Sequence, residues 1–208
     1  MNVLAVGAHY DDVELGCSGT LIKHVLGGDN VTMLVITKSD YKNPSGEVIR
    51  DSDIACREGE KAAKLIGAEL INLSYDTFMV TNDEDLTKTI NGYINKLNID
   101  TIYTHWINDL HRDHHNTSKC VLMAGRHAPR FLMYRSNFYD TEKVFRGNLY
   151  SDISMVIDKK REVIKAHESE LDRVKYRWFD FFDRQHKNDG MKIGVEYAEC
   201  FEVVRYLI

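Results

Sequence analysis

Two short polar segments carry the residues best suited to chemistry, and both are rich in histidine and aspartate. The first is His9-Tyr10-Asp11-Asp12-Val13-Glu14, and the second is His111-Arg112-Asp113-His114-His115. A catalytic zinc ion takes three protein ligands, usually imidazoles with a carboxylate, and leaves one position for water. Such an ion lowers the pKa of its water to roughly 7, which makes hydroxide available at neutral pH. Together the two segments indicate a metal-dependent hydrolytic site.

His9, Asp12 and His114 can supply a ligand set of this kind. Asp11 can take a proton from the attacking water, and His111 can stabilise an oxyanion or protonate a leaving amine. Spacing alone leaves open whether Asp11 or Asp12 is the ligand. Each residue also has a simpler interpretation, because a lone loop histidine is usually solvated and an aspartate pair can cap a helix. The joint occurrence of both segments favours the metal site.

A nucleotide site of the Rossmann type is the main competing interpretation of the first segment. It needs the pattern GxGxxG at the first turn, so that the backbone can approach a pyrophosphate. Here His9, Asp11 and Asp12 occupy that turn, ahead of Gly16 and Gly19. Carboxylates at this place repel phosphate and attract a cation, so the sequence disfavours a nucleotide site.

The chain around these segments alternates between buried strands and helices. Short apolar runs predict strands at residues 2–8, 31–37, 69–73, 100–104 and 130–134. Apolar residues at helical spacing predict helices at 19–26, 50–66, 83–97 and 116–126, with a loop at 38–46. The order predicts an α/β fold: a Rossmann-like three-layer α/β/α arrangement with a mostly parallel sheet. Its active site is expected at the C-terminal ends of the strands, where both polar segments lie.

The last third of the chain is less regular. Residues 153–157 are predicted as a strand, 159–173 as a charged helix and 196–207 as a closing strand. No internal repeat, low-complexity tract or linker divides the sequence. We therefore expect residues 1–208 to form a single domain.

Composition and charge narrow the class of protein. The 208 residues are 43% hydrophobic and 28% charged, which is ordinary for a globular protein, and the net charge of −5 argues against a nucleic-acid partner. No apolar stretch approaches the ~20 residues of a membrane span, and residues 3–8 are too short for a signal peptide. Four widely spaced cysteines without a CxxC pair fit reduced thiols. We expect a soluble, cytoplasmic protein.

The two polar segments resemble the paired motifs of the LmbE-like, or PIG-L, deacetylase family. The first family motif reads His-Pro-Asp-Asp-Glu and leads into a glycine-rich turn, and the match here runs from His9 to Thr20. The second motif reads His-Pro-Asp-His and corresponds to His111-Arg112-Asp113-His114. Weaker similarities follow at Arg57, at 165–169 and at 197–201. The resemblance thus extends along nearly the whole chain.

The resemblance implies a role for each matching residue. The implied ligands of zinc, or of another divalent ion, are His9, Asp12 and His114. Asp11 would be the general base. His111 would stabilise the oxyanion or act as the acid, with Asp113 orienting it. Arg57 would contact a substrate hydroxyl.

Three departures from the family pattern bear on these roles. Tyr10 and Arg112 replace the two motif prolines. Neither proline is a ligand, so we expect the metal site to survive, and we expect Arg112 to face solvent. Glu170 stands where the family often has glutamine, so no role is assigned to it.

The resemblance implies a zinc-dependent N-deacetylase that hydrolyses the acetamide of an N-acetylated amino sugar or sugar conjugate and releases acetate. An amidase acting on a thiol or other small-molecule conjugate would use the same site. A non-catalytic sugar- or nucleotide-binding module is a third interpretation, and it would not need Asp11. The aromatic run at 178–182 and the habit of the family favour a homo-oligomer.

Overall fold

A computed structural model describes all 208 residues of the chain. The strands are β1 (Asn2–Gly7), β2 (Asn30–Thr37), β3 (Tyr41–Lys42), β4 (Val48–Arg50), β5 (Glu69–Tyr75), β6 (Thr101–His105), β7 (Arg130–Tyr134), β8 (Leu149–Asp152) and β9 (Ala198–Tyr206). The helices are α1 (Asp12–Leu26), α2 (Ser52–Ile66), α3 (Glu84–Lys96), α4 (Arg112–Ala124), α5 (Ile157–Lys165), α6 (Glu168–Arg173) and α7 (Arg177–Ile193). None of these helices is both long enough and apolar enough to span a bilayer.

Seven strands form one sheet in the order β5-β2-β1-β6-β7-β9-β8, and β3 and β4 form a separate hairpin. The first five strands of that order are parallel to one another, whereas β9 is antiparallel to both of its neighbours. The predicted α/β fold with a mostly parallel sheet is therefore confirmed.

Alternate residues of β1 face opposite sides of this sheet. Val3 and Ala5 pack in one apolar cluster with residues of α1 and α2. Leu4 and Val6 pack in a second cluster with residues of α3 and α4. Because helices cover both faces, the strand is apolar along its whole length, as buried parallel strands are. This burial holds the end of β1 in a fixed position.

Two helices begin earlier than the sequence predicts. α1 begins at Asp12 rather than at residue 19, and α4 begins at Arg112 rather than at residue 116. The first turns of both helices carry buried polar side chains, such as Asp12 and His114, instead of apolar residues at helical spacing. Each polar segment therefore ends in the first turn of a helix, and His9, Tyr10 and Asp11 form the turn that precedes α1.

The prediction for the last third is partly wrong. Residues 153–157 are not a strand. Ile153 donates its N–H to Tyr197 O at 3.0 Å, and a short 3-10 helix (Ser154–Val156) and the start of α5 occupy the rest of the segment. The predicted charged helix is two helices, α5 and α6, separated near His167. β9 confirms the closing strand. Earlier in the chain, the predicted loop at 38–46 contains the two-residue strand β3.

A buried ion pair fixes α1 against the far end of the sheet. Glu199, on β9, accepts the backbone N–H groups of Gly19 at 2.8 Å and Thr20 at 2.7 Å. It also accepts a hydrogen bond from the ammonium group of Lys160, which in turn donates to Leu15 O at 2.9 Å. Both charged side chains are fully buried. The pair therefore fixes the helix that carries Asp12.

Replacing Lys160 with methionine should destabilise the fold strongly. The change leaves the carboxylate of Glu199 buried without its cation, which costs about 3–5 kcal/mol when a buried pair is broken. Urea unfolding measures this loss as a lower free energy of unfolding. The matched control is Lys159→Met at the exposed neighbouring position, which should change that free energy by no more than about 0.5 kcal/mol. Equal stability of the two variants would contradict the assigned role of the pair.

Candidate metal-binding active site

The two polar segments meet because their strands are neighbours. β1 and β6 pair in parallel, with Val6 opposite Thr104, so both strands end at the same edge of the sheet. The chain continues from β1 to β2 on one side, while β6 and β7 extend the sheet on the other. A crevice forms where the strand order reverses in this way, and ligands of open α/β sheets bind there.

Asp11 occupies the N-cap of α1 in a strained backbone conformation. Its φ is 110°, a value that costs a non-glycine residue of order 1–3 kcal/mol. Contacts on both sides hold the turn. The N–H of His9 donates to Asp12 Oδ2 at 2.7 Å, and the guanidinium of Arg50 donates to Tyr10 O at 3.2 Å. The surrounding structure therefore imposes this conformation on Asp11.

Side-chain donor atoms from three residues converge between the two segments. His9 Nδ1 lies 3.2 Å from His114 Nε2, and Asp12 Oδ1 lies 3.1 Å from the same Nε2. Asp12 Oδ2 lies 3.4 Å from His9 Nδ1. Ligands about 2.1 Å from a tetrahedral metal ion are themselves about 3.4 Å apart. The spacing of the three predicted ligands therefore fits a shared ion.

Two further histidines lie in the cluster, and one ring nitrogen of each accepts a backbone N–H. Groups with metal-compatible spacing are His9–His111–His114 and Asp12–His105–His114. His105 Nε2 accepts the N–H of Ala8 at 2.9 Å, and its Nδ1 lies 3.1 Å from Ser136 Oγ. His111 Nδ1 accepts the N–H of Asp113 at 3.2 Å, so the neutral ring carries its proton on Nε2. Asp12 Oδ2 also accepts a backbone N–H, that of His9, whereas Asp12 Oδ1, His9 Nδ1 and His114 Nε2 contact only one another among the hydrogen-bonding groups of the chain.

His111 lies directly beside these donors. Its ring centre is 4.8 Å from that of His9 and 4.5 Å from that of His114. Burial, reinforced by the nearby charges of His114 and His9, lowers the pKa of His111 to about 4. The ring is then neutral at pH 7 and offers an N–H donor to the pocket.

A carboxylate lies at the outer nitrogen of each ligand imidazole. Asp113 Oδ2 is 3.0 Å from His9 Nε2, and Asp109 Oδ2 is 3.2 Å from His114 Nδ1. Such carboxylates orient metal-binding imidazoles and raise their basicity. The expectation that Asp113 orients His111 needs correction: the Asp113 backbone N–H contacts that ring, but its carboxylate contacts His9. The second motif thus supports the ligand supplied by the first.

Negative charge is concentrated around the converging atoms. Four aspartates are buried there: Asp11, Asp12, Asp109 and Asp113. Burial raises the pKa of Asp11 to about 7, and Arg50, 3.5 Å from its carboxylate, opposes that rise. Buried carboxylates are costly unless a cation compensates them. A divalent ion would supply that charge at the place where the ligands meet.

The cluster opens into a pocket of about 280 Å³. That volume is near the lower end of the range for small-molecule sites. Four aromatic side chains line the pocket: Tyr41, Phe78, Tyr139 and Trp178. Arg173 lies 5.6 Å from the ring centre of Tyr41 and 5.7 Å from that of Trp178, and it is ion-paired with Glu170. The pocket therefore offers both stacking surfaces and charged hydrogen-bonding groups.

The structure does not place Arg57 in this pocket. Arg57 is exposed, because α2 turns residues such as Ala55 and Gly59 towards the core, and Arg57 lies about 200° around the helix from each of them. Arg50 lies at the site instead, buried beside Asp11. Local spacing in the sequence does not distinguish Arg50 from Arg57, because the contact of Arg50 with Asp11 joins elements that only the tertiary fold brings together.

Three further side chains do not line the metal pocket. Trp106 donates its indole N–H to Glu202 at 3.0 Å and does not line the pocket. Arg112 is exposed, as predicted. His167 lies 2.9 Å from Glu14 in a buried contact below the pocket.

The comparison with known families agrees with the two motifs. A family model described as "PIG-L: GlcNAc-PI de-N-acetylase" matches residues 4–124, which is more than half of the chain. The chain belongs to the PIG-L family. The matched region contains both polar segments and every predicted site residue, so the resemblance inferred from the motifs is confirmed.

Relatives of this PIG-L family member include proteins named as deacetylases. The uncharacterized deacetylase YaiS of Escherichia coli (strain K12) is 29% identical over 143 residues, covering 64% of this chain and 73% of YaiS. The N,N'-diacetylchitobiose deacetylase of Pyrococcus horikoshii has a TM-score of 0.83 at 20% identity, covering 98% of this chain and 83% of that one. GalB of Pseudomonas putida KT2440, a 4-carboxy-2-hydroxymuconate hydratase, has a TM-score of 0.81 at 16% identity, covering 100% and 97%. At these identities the two structures show a shared fold.

Replacing Asp113 with asparagine should weaken metal binding. The amide removes the charge behind His9, and loss of such a supporting carboxylate costs about 10- to 100-fold in metal affinity. Calorimetric titration of the chelator-treated protein with Zn²⁺ measures the change. Asp140→Asn, at an exposed aspartate outside the pocket, is the control and should bind as tightly as the parent chain. Equal affinities would show that the Asp113 carboxylate does not support the site.

The two arginines should differ sharply when each is replaced with glutamine. Arg50→Gln leaves Asp11 without its buried cation, and we expect the free energy of unfolding to fall by at least about 2 kcal/mol. Arg57→Gln changes an exposed side chain and should stay within about 0.5 kcal/mol. Urea unfolding of both variants tests the assignment, which a larger loss for Arg57→Gln would overturn.

Proposed function

We propose that this chain is a zinc-dependent N-deacetylase that hydrolyses the acetamide of an N-acetylated amino sugar or sugar conjugate to the free amine and acetate. The observation that carries the proposal is the convergence of His9 Nδ1, Asp12 and His114 Nε2 to within 3.1–3.4 Å of one another. Asp11 and His111 lie beside these atoms in the same pocket. Two imidazoles, one carboxylate and an adjacent acid-base pair are the parts that amide hydrolysis needs.

His9, Asp12 and His114 would hold the ion. When bound, zinc supplies Lewis acidity, which activates water and polarises the amide carbonyl. Zinc suits this donor set, although two imidazoles and a carboxylate accept other divalent ions as well. The carboxylate of Asp113, at His9 Nε2, and that of Asp109, 3.2 Å from His114 Nδ1, would support the two imidazoles from behind.

Asp11 and His111 have different roles: Asp11 transfers the proton, and His111 stabilises the oxyanion. The Asp11 carboxylate takes the proton from the attacking water and returns it to the leaving nitrogen, so the amine departs in a neutral form. The Nε2–H of neutral His111 donates to the carbonyl oxygen as negative charge develops there. Arg50 holds the Asp11 side chain in place through its buried contact. The proton that Asp11 takes from water is therefore the one that it gives to the leaving nitrogen.

The shape of the pocket supports a sugar-sized substrate. A volume of about 280 Å³ accommodates one small ring with its acetamide. Rings such as Tyr41 and Trp178 offer faces for stacking, and Arg173 and Glu170 offer hydrogen bonds to hydroxyl groups. The relatives named as deacetylases carry the name of the reaction proposed here, the removal of an acetyl group.

Two alternatives retain the fold. An amidase acting on a thiol or other small-molecule conjugate would use the same residues on a different substrate. A non-catalytic sugar- or nucleotide-binding module would keep the pocket and would not depend on Asp11. Since a hydratase shares this fold, release of acetate is the measurement that decides the reaction. A single domain over residues 1–208, a homo-oligomer and a cytoplasmic location belong to the same proposal.

The variant Asp11→Asn separates an enzyme from a binding module. We expect it to retain its metal and lose about 10²- to 10⁴-fold in turnover, because the amide cannot accept the proton of water. Removal of the metal with a chelator should abolish turnover of the parent chain, and Zn²⁺ should restore it. The measurement is acetate release over a panel of N-acetyl sugars, with metal analysis of the same samples.

Asp140→Asn serves as the control in this assay as well, and it should retain full turnover. Undiminished acetate release by Asp11→Asn, or by the chelated parent chain, would rule out the proposed mechanism. Cleavage of thiol conjugates in preference to N-acetyl sugars would favour the alternative of an amidase that acts on such conjugates.

A further inference from the structure

A second and larger cavity lies between α7 and the strands β8 and β9. Its volume is about 880 Å³, and it shares no lining residue with the metal pocket. Five cationic side chains line it: Arg135, Arg146, Arg177, Arg184 and Lys192. We call this cavity the basic groove.

The charges of the basic groove are not balanced by the chain itself. Only Asp180 and Asp189 oppose the five cations, which leaves a formal excess of three positive charges. Asp189 is already paired with Lys192 at 2.7 Å. This local excess occurs in a chain whose net charge is −5. The uncompensated cations are thus concentrated in one concave surface.

Arg135 is the half-buried member of this group. Its guanidinium carbon lies 6.0 Å from the ring centres of both Phe145 and Phe181, and it donates to Asn137 O at 3.3 Å. It forms no ion pair with a carboxylate of the chain. A guanidinium carries five N–H donors, so a half-buried one between two rings keeps donors free for an external acceptor.

The start of α7 adds to the positive potential of the groove. Arg177 is the first residue of this 17-residue helix, and no side chain caps its N-terminus. The free N–H groups of a helix start favour negative charge nearby. Arg177 and Arg184 lie on the groove side of α7, and neither forms an ion pair within the chain.

We propose that the basic groove binds a phosphate-bearing small molecule at a site separate from the metal pocket. Phosphate carries close to two negative charges and several acceptor oxygens, which match guanidinium groups that line one cavity from different elements. A single carboxylate would leave most of the excess charge uncompensated. The aromatic walls formed by Phe145, Phe181 and Tyr150 complement an organic part of such a ligand. This site does not depend on the proposed deacetylase activity.

The test is a titration of the intact, metal-loaded chain with inorganic phosphate at low ionic strength, followed by amide chemical shifts. We expect saturable shifts at residues 145–150 and 177–192. The double variant Arg146→Gln/Arg184→Gln should bind at least about tenfold more weakly, because it removes two charge-assisted contacts. Added salt should weaken binding by the parent chain.

Lys187→Gln is the matched control, since Lys187 is exposed on the same helix but does not line the groove. It should bind phosphate as the parent chain does, and the amide spectra of both variants establish that they are folded. Adenosine 5′-monophosphate, titrated in parallel, should bind more tightly than phosphate because the aromatic walls complement its organic part, and binding no tighter than phosphate would contradict that role of the walls. Shifts confined to the metal pocket, or equal affinities of the double variant and Lys187→Gln, would overturn the proposal.

Discussion

The parallel pairing of β1 with β6 is the constraint on which the site depends. His9 and His114 are separated by 105 positions in the chain, yet their ring nitrogens lie 3.2 Å apart. A slip of two residues between the strands would move one segment by about 6.6 Å relative to the other and separate every ligand pair. The apolar side chains on both faces of β1 fix that register, because a shifted strand would lose its packing against two clusters at once.

The two helices that follow these strands explain how the site tolerates its charges. Asp11 is the N-cap of α1 and His111 is the N-cap of α4, so acid-base candidates occupy equivalent positions in two strand-helix units. The positive start of α1 favours negative charge at Asp12, and the positive start of α4 disfavours a charged His111. The folding energy of the packed sheet maintains the strained φ of Asp11, which the site alone could not sustain.

The sequence predicts the parts of the structure that follow from local patterns. The strand β1 is recognisable as a continuous apolar run, and the motif containing Asp12 and the one containing His114 are recognisable by residue type. The early starts of α1 and α4 are not, because buried polar residues replace the apolar spacing that marks a helix. Nor could local spacing show that Asp113 contacts His9 or that Arg50 takes the place expected for Arg57. Those contacts join elements that only the tertiary fold brings together.

The two cavities use neighbouring residues of the same backbone to present opposite charge. After β7, Ser136 and Asn137 line the acidic metal pocket, while Arg135 lines the basic groove. At the start of α7, Trp178 lines the metal pocket and Arg177 lines the groove. Adjacent side chains of a chain segment point in different directions, so one wall separates a site suited to a cation from one suited to an anion. The stability of that wall is therefore a shared requirement of both sites, although their ligands and their chemistry differ.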